Sequence, residues 1–182
     1  SFALDKNKVE ALAEKTRTYL NRVVENDPSR LDLKSKVAMT YVSSANPMQG
    51  ITMLREILDQ DPQNEDGLFN MGILSMQSGQ YNRAVERFEE LIKFHPDNLQ
   101  GQFYLAISYF ENKEKNKAKA QFERVVAQYP QSAKAADSLA KLGQLAEREG
   151  DVPAAKQFYQ LLVSKYPQSK PAKAAKAKLE TL

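Results

Sequence analysis

The side chains that most often carry out chemistry are scarce in this sequence. His95 is the only histidine among 182 residues, and the chain has no cysteine. Without cysteine there can be no disulfide, no thiolate nucleophile and no thiolate metal ligand, and a single histidine is too few for the usual zinc sites. His95 precedes Pro96 at the end of a predicted helix. We therefore expect neither a metal nor a cofactor.

The acidic and glycine residues do not form a catalytic pattern either. Acidic clusters such as "RFEELI" and "AEREGD" fall on outward helical faces or turns, without a second carboxylate directed into a pocket. The seven glycines are scattered, and neither a phosphate-binding glycine loop nor a nucleophile elbow is present. The sequence thus predicts a protein that is not an enzyme.

The basic residues do not indicate a nucleic-acid partner. The formal net charge is only +3, which is too small to argue for nucleic acid by itself. One basic stretch, "NKEKNKAKAQFER", is interrupted by glutamates, and no aromatic residue stands between its lysines to stack on bases. We interpret it as a solvated turn, whose four lysines are Lys113, Lys115, Lys117 and Lys119.

Apolar runs are too short for a membrane span. None approaches the roughly 18 residues that a transmembrane helix requires, and no secretory signal is visible at the start. The chain begins without Met, which leaves room for an upstream anchor or signal. The absence of cysteine fits an oxidising compartment, although many cytoplasmic proteins also lack it.

Prolines recur with a fixed period. They stand at 28, 62, 96, 130 and 167, so that successive intervals are 34, 34, 34 and 37 residues. Between them lie two helical runs, such as "EDGLFNMGILSMQ" and "YNRAVERFEELIKF", separated by the turn "SGQ". Because proline cannot continue a helix, each one ends the second helix of its repeat.

This pattern resembles the tetratricopeptide repeat, a helix-turn-helix of 34 residues with small and large side chains at fixed places. In the best match, residues 65–98, these places hold Leu68, Met71, Gly72, Ala84, Phe88, Leu91 and Pro96. The small residues at Gly72, Ala106 and Ala140 would let the first helix approach its partner. The resemblance implies an all-α right-handed solenoid with repeats at 31–64, 65–98, 99–132 and 133–169, the last carrying three extra residues.

The two ends depart from the repeat. Residues 1–30 contain what looks like the second helix of an incomplete repeat. Residues 170–182 are predicted to form a closing helix with a lysine-rich outer face. Terminal repeats of a solenoid need such a polar face, so we interpret these lysines as a solvated cap rather than as a site for anionic lipid.

A second apolar stripe runs along the first helices. On a helical wheel, Phe103, Ile107 and Phe110 lie opposite the side formed by Leu105, Ala106 and Tyr109. In tetratricopeptide proteins such places line the concave partner-binding surface. The corresponding candidate groove residues are Met39, Val42, Phe69, Ile73, Met76, Phe103, Ile107 and Phe110. Exposed apolar bands mark interaction surfaces, but curvature or the N-terminal helix would also bury these side chains.

One known groove of the family is excluded. The carboxylate clamp for chaperone C-termini uses Lys, Asn and Arg at these places, whereas this chain has Ser35, Met39, Phe69, Ile73, Phe103 and Ile107. The resemblance therefore implies a scaffold that binds an apolar helix or extended protein segment. The alternative is a self-association module whose groove is filled by a second copy, as in a homo-oligomer, or by its own N-terminal helix.

The last fifty residues bear on the organism type and the cellular location of the protein. Stretches such as "KYPQSKPAKAAKAKL" are similar to bacterial cell-envelope proteins with these repeats, including the Tol-associated cell-division coordinator and the outer-membrane assembly lipoprotein type. This similarity favours a bacterial periplasmic or membrane-tethered location, with a cytoplasmic one as the alternative.

Overall fold

The computed structural model describes residues 2–44 and 46–182, and this part of the chain contains ten helices and no strand. The predicted all-α class is therefore confirmed. In chain order the helices are α1 (Phe2–Asn26), α2 (Leu31–Val42), α3 (Pro47–Gln60), α4 (Glu65–Gln77), α5 (Tyr81–Phe94), α6 (Leu99–Glu111), α7 (Lys115–Gln128), α8 (Ala133–Glu149), α9 (Val152–Lys165) and α10 (Lys170–Thr181).

The periodic prolines and the residues after them set the helix boundaries. The helices α1, α3, α5, α7 and α9 each end two residues before one of these prolines. Two residues after four of the prolines, a side-chain oxygen accepts a hydrogen bond from the backbone N–H three positions on, at 2.9, 2.6, 3.1 and 3.2 Å. The four capping residues are Asn64, Asn98, Ser132 and Ser169. Each cap satisfies a donor that the first turn of a helix would otherwise leave unpaired.

Two turns between paired helices depend on glycine. Gly79, in "SGQ", has a φ of 70°, and Gly150, in "GDVP", has a φ of 75°. In this left-handed region a Cβ costs free energy, so glycine is the usual residue after a helix.

The chain divides into two compact units, one reaching to Leu74 and the other comprising Ser75–Leu182. In the first unit α1 packs on α2, and α2 pairs with α3. Gly50 of α3 lies so close to α2 that a Cβ there would overlap the carbonyl oxygen of Ala38. This contact explains why glycine stands where the repeat usually has alanine. The fully buried side chains of the unit are Val37, Ala38, Leu54, Ile57 and Leu68.

In the second unit each helix from α5 to α10 packs on the next one in the chain, and α8 also contacts α6 and α10. Its core repeats a small, aromatic, aliphatic order on successive second helices. This order is Ala84, Phe88 and Leu91 on α5, Ala118, Phe122 and Val125 on α7, and Ala155, Tyr159 and Leu162 on α9, all of them buried.

The close approach in the fourth repeat falls at a different residue from the predicted one. Ala140 is partly exposed, whereas Gly143 is buried, and a Cβ on Gly143 would overlap the ring of Tyr159 on α9. The reason is that the three extra residues lengthen α8 before the contact, which moves the small position from 140 to 143.

A tyrosine before two of the prolines links neighbouring repeats. The hydroxyl of Tyr129 donates to the backbone carbonyl of Asp97 at 2.9 Å, and that of Tyr166 donates to the carbonyl of Pro130 at 2.6 Å. Each bond joins the end of one repeat to the turn that ended the previous one. The sequence analysis did not assign a role to these tyrosines.

Candidate functional site

The eight candidate groove residues differ in how far they are covered. Six are half-buried: Met39, Val42, Phe69, Ile73, Met76 and Ile107. The other two, Phe103 and Phe110, keep only 6% and 4% of their surface exposed. The first unit contains four of the eight, and we consider the two units separately.

In the first unit, a cavity of about 420 Å³ opens between α1, α2 and α4. We refer to it as the α2 cavity, because α2 contributes most of its walls. Its lining residues are Glu10 and Ala13 from α1, Ser35, Lys36, Met39, Thr40 and Ser43 from α2, and Asp66 and Asn70 from α4. Of the predicted groove residues, Met39 is the one that lines it.

The α2 cavity combines an apolar wall with fixed polar groups. Met39 packs against the buried cluster of Ala38, Leu54 and Ile57, so its position in the wall is held from behind. The amide nitrogen of Asn70 donates to the hydroxyl of Ser35 at 2.9 Å. The cavity therefore offers the apolar side chain of Met39 beside one hydrogen-bonded polar pair, Asn70 and Ser35.

Three charged residues, Glu10, Lys36 and Asp66, line the cavity. Partial burial, followed by the nearby charge of Glu65, raises the pKa of the Asp66 carboxyl above its usual range. Lys36 opposes this shift. Desolvation disfavours the charged form of the acid, which is why the shift is upward.

Val42 lies on the side of α2 that faces α3. One of its methyl carbons would be only 2.7 Å from a Cβ built on Gly50. It therefore belongs to the α2–α3 contact rather than to an open groove, because the missing side chain at residue 50 draws the two helices together.

In the second unit, the open stripe expected on α6 is not present. Phe103 and Phe110 both meet Phe122 of α7 edge to face, with ring centroids 6.3 and 6.4 Å apart. Helix α6 packs against α5, α7 and α8, so most of its circumference is covered. The expectation that these two phenylalanines are exposed anchors is therefore wrong. A helix that is apolar on most sides is a buried helix.

The outer faces of the same two rings are covered by cations from α8. The ammonium nitrogen of Lys134 is 4.2 Å from the centroid of Phe103. At Phe110, the corresponding distances are 4.9 Å from the nitrogen of Lys141 and 4.3 Å from the guanidinium carbon of Arg148. These distances are those of cation–π contacts. We call Lys134, Lys141 and Arg148 the α8 cation row.

Sequence reasoning missed the α8 cation row, although its signal was available. The three cations are spaced by seven residues, which places them on one side of a helix. A pattern of apolar residues does not contain these three cations, so the stripe on α6 does not predict them.

The lysines of the "NKEKNKAKAQFER" stretch are engaged in local contacts. Lys117 pairs with Glu114 at 2.7 Å and lies 5.1 Å from the ring centroid of Tyr109. Lys115 lies 4.0 Å from Glu149 of α8. The turn itself comprises only residues 112–114, and Lys115, Lys117 and Lys119 lie at the start of α7.

In residues 2–44 and 46–182, no three side chains among His, Asp and Glu are grouped so that they could hold a metal ion. Within the same ranges, no helix has both the length and the apolar character needed to cross a bilayer.

Models of two protein families match overlapping parts of the chain. Residues 36–122 match the family described as "Surface lipoprotein assembly modifier, N-terminal TPR repeats". Residues 115–170 match the family described as "Tetratricopeptide repeat". The comparison with curated proteins gave no match.

Solved structures show the same fold at low sequence identity. MamA from Desulfovibrio magneticus RS-1 aligns with a TM-score of 0.73 at 14% identity, covering 87% of this chain and 88% of that one. YrrB, described as a TPR protein with an unusual peptide-binding site, aligns with a TM-score of 0.73 at 16% identity, covering 95% and 88%. A tetratricopeptide repeat protein from Parabacteroides merdae gives 0.75 at 15%, covering 98% and 68%.

These matches confirm the predicted fold class, an all-α solenoid of helix-turn-helix repeats. The narrower resemblance to the Tol-associated coordinator or the outer-membrane assembly lipoprotein is not among them. Two family models of tetratricopeptide repeats thus match parts of this chain, and solved tetratricopeptide repeat proteins share its fold.

Proposed function

We propose that the chain is a non-enzymatic protein-interaction module that takes an apolar side chain of a partner segment into the α2 cavity. The observation that carries this proposal is the cavity itself, which is about 420 Å³ in volume and has Met39 in its wall. A volume of this size falls within the range of ligand pockets in proteins. Methionine adapts its shape to different partners.

A bacterial envelope assembly is the setting that we propose for this module. Two observations support it: the match of residues 36–122 to repeats of a surface lipoprotein assembly modifier, and the similarity of the C-terminal sequence to envelope proteins. The partner would then be a protein or peptide of such an assembly.

Self-association is the second candidate. A second copy of the chain would present the same surfaces, and the half-buried apolar residues of the first helices suit such a contact. Filling of the cavity by the N-terminal helix is the less favoured form, because α1 already forms one wall with Glu10 and Ala13 and leaves the cavity open beside it.

Selection from a random peptide library on the purified chain tests the first candidate. Selected peptides are titrated against the wild type, Met39→Gln and the control Met48→Gln, whose side chain on α3 is 61% exposed and outside the cavity. Burial of one apolar side chain contributes about 1.5–3 kcal/mol, so Met39→Gln should weaken binding at least about tenfold. Met48→Gln should leave the affinity unchanged.

Two outcomes contradict the proposal. If no library peptide binds, or if both methionine variants bind like the wild type, then the cavity is not the site. Light scattering over a range of concentrations separates the second candidate, because a tight dimer favours self-association and a concentration-independent monomer favours a separate partner.

A further inference from the structure

At the C-terminal end of helix α8, neighbouring acidic and basic side chains contact different helices, whereas Asp137 lies on the same side of α8 as Lys134. Glu147 accepts an ion pair from Lys178 of α10 at 3.1 Å, and Glu149 lies 4.0 Å from Lys115 of α7. Arg148, between these two glutamates in sequence, lies instead over the ring of Phe110 on α6. The carboxylates at this end of α8 are therefore paired with other helices, and the cation row is separated from them.

The cation row is largely without anionic partners inside the described chain. Lys134 has the carboxylate of Asp137 at 3.9 Å. Among residues 2–44 and 46–182, no carboxylate lies within 4.0 Å of Lys141 or Arg148. Two cations thus converge on one ring, Phe110, without a countercharge.

The rings fix the direction from which an anion could approach. A cation over an aromatic face is held on one side by the ring quadrupole, and its remaining donors point away from the ring. Arg148 is exposed and Lys141 is half-buried, so donors remain open to a partner. Hydrogen bonds between such cations and carboxylates are shorter and stronger than neutral ones.

From this arrangement we infer that the α8 cation row binds an acidic helical segment of a protein partner, with carboxylates spaced seven residues apart. Seven residues of helix rise about 10.5 Å, so a helix lying along α8 presents acidic side chains at the same intervals as the row. Charge complementarity is what selects this occupant. The inference rests on the proposed function, since it names the chemistry of a partner segment for a protein-binding module.

The direct test uses a synthetic probe. It is a fluorescein-labelled helical peptide of about 21 residues with Glu at every seventh position, and its partner probe has Gln at those positions. Fluorescence anisotropy measures both against the full chain at low and at physiological salt. We expect the Glu peptide to bind at least about tenfold more tightly than the Gln peptide, with an affinity that falls as salt rises.

The variant pair Lys141→Met and Arg148→Met removes charge while it keeps an apolar cover over Phe110. We expect this double variant to bind the Glu peptide at least about tenfold more weakly than the wild type does, with a melting temperature close to that of the wild type. Lys141→Arg should retain binding, because it keeps the cation. The matched control is Lys173→Met with Lys176→Met, two exposed lysines of α10, which lower the net charge by the same amount and should change the affinity less than about twofold.

Three results would overturn the inference. The first is equal affinity for the Glu and Gln peptides, and the second is that the α8 and α10 variant pairs weaken binding of the Glu peptide equally. The third is that a single-stranded oligothymidylate binds more tightly than the Glu peptide and depends on Lys141 and Arg148, which would indicate a nucleic-acid partner instead. Failure of this test does not touch the α2 cavity. If library peptides still bind and still depend on Met39, then only the assignment of the α8 cation row is wrong.

Discussion

Gly143 shows how one absent methyl group sets the separation of α8 and α9. A Cβ at this position would overlap three carbon atoms of the Tyr159 ring, and Tyr159 is itself buried. The ring cannot give way without moving α9, since interiors are packed to near crystal density. A single glycine therefore fixes the register of the fourth repeat.

We predict that Gly143→Ala lowers the free energy of unfolding by about 1–3 kcal/mol through overpacking, even though alanine is the better helix former. The control is Ala140→Ser at the partly exposed place that the repeat pattern had favoured, and it should cost less than about 0.5 kcal/mol. Urea denaturation of the three proteins measures both values. If Gly143→Ala has the same free energy of unfolding as the wild type, then the close approach lies at residue 140, as the repeat pattern predicted.

Tyr109 links α6 to α5 through a titratable group. Its side chain is buried, and its hydroxyl donates to the carboxylate of Glu89. Burial, and then the hydrogen bond to Glu89, raise the pKa of the Tyr109 phenol well above its ordinary value. The folded state thus holds a proton that the unfolded state releases near pH 10.

This difference predicts a loss of stability in alkali. A raised pKa in the folded state contributes stability below the unfolded pKa, and that contribution is lost as the pH rises above about 10. Urea denaturation at about pH 8 and at about pH 11 measures the free energy of unfolding, which should fall more steeply between the two pH values for the wild type than for Tyr109→Phe. The control is Tyr19→Phe, since Tyr19 is 69% exposed. Its free energy of unfolding should fall with pH as steeply as that of the wild type.

At the scale of the helix, α6 shows what a periodic pattern can and cannot predict. The wheel correctly groups Phe103, Ile107 and Phe110 on one side of α6. A helical wheel of α6 carries no information on its neighbours, and the neighbouring α8 is longer, with 17 residues where α6 has 13. Coverage of the stripe by long cationic side chains from α8 depends on tertiary packing, so the sequence predicted the stripe but not its burial.

We expect Phe103→Ala and Phe110→Ala each to cost about 3–5 kcal/mol, the usual loss for a buried phenylalanine. Ile107→Ala, on the same stripe but half-buried, should cost less. Thermal melts followed by circular dichroism measure the three changes. Melting temperatures unchanged from that of the wild type in the Phe variants would show that the rings are exposed, as the pattern alone had suggested.

For the molecule as a whole, the period of 34 determined most of what could be predicted. Proline, the capping Asn or Ser two residues later, and the small residues at the helix crossings are local signals, so the helices and their order follow from sequence. The α2 cavity could not be predicted in this way. Its walls come from α1, α2 and α4, and Glu10 and Asn70 are brought together by packing that no spacing in the sequence encodes.

The bonds from Tyr129 to Asp97 and from Tyr166 to Pro130 have a consequence for how such a chain gains or loses repeats. Each of the last two repeats ends with a donor, and the turn that ended the previous repeat supplies its acceptor. Excision of residues 99–132 would place Asn98 three residues before Ala135, where Ser132 now caps α8, and would bring Tyr166 to the turn at Pro96. Ala84, Phe88 and Leu91 of α5 would then meet α8 in place of Ala118, Phe122 and Val125 of α7. We expect the shortened chain to fold as a cooperative helical protein, as judged by circular dichroism, whereas excision of 30 residues from the same stretch should not. In genetic terms, the unit that can be duplicated or lost is one repeat of 34 residues, because the new junction keeps both a helix cap and a tyrosine hydrogen bond.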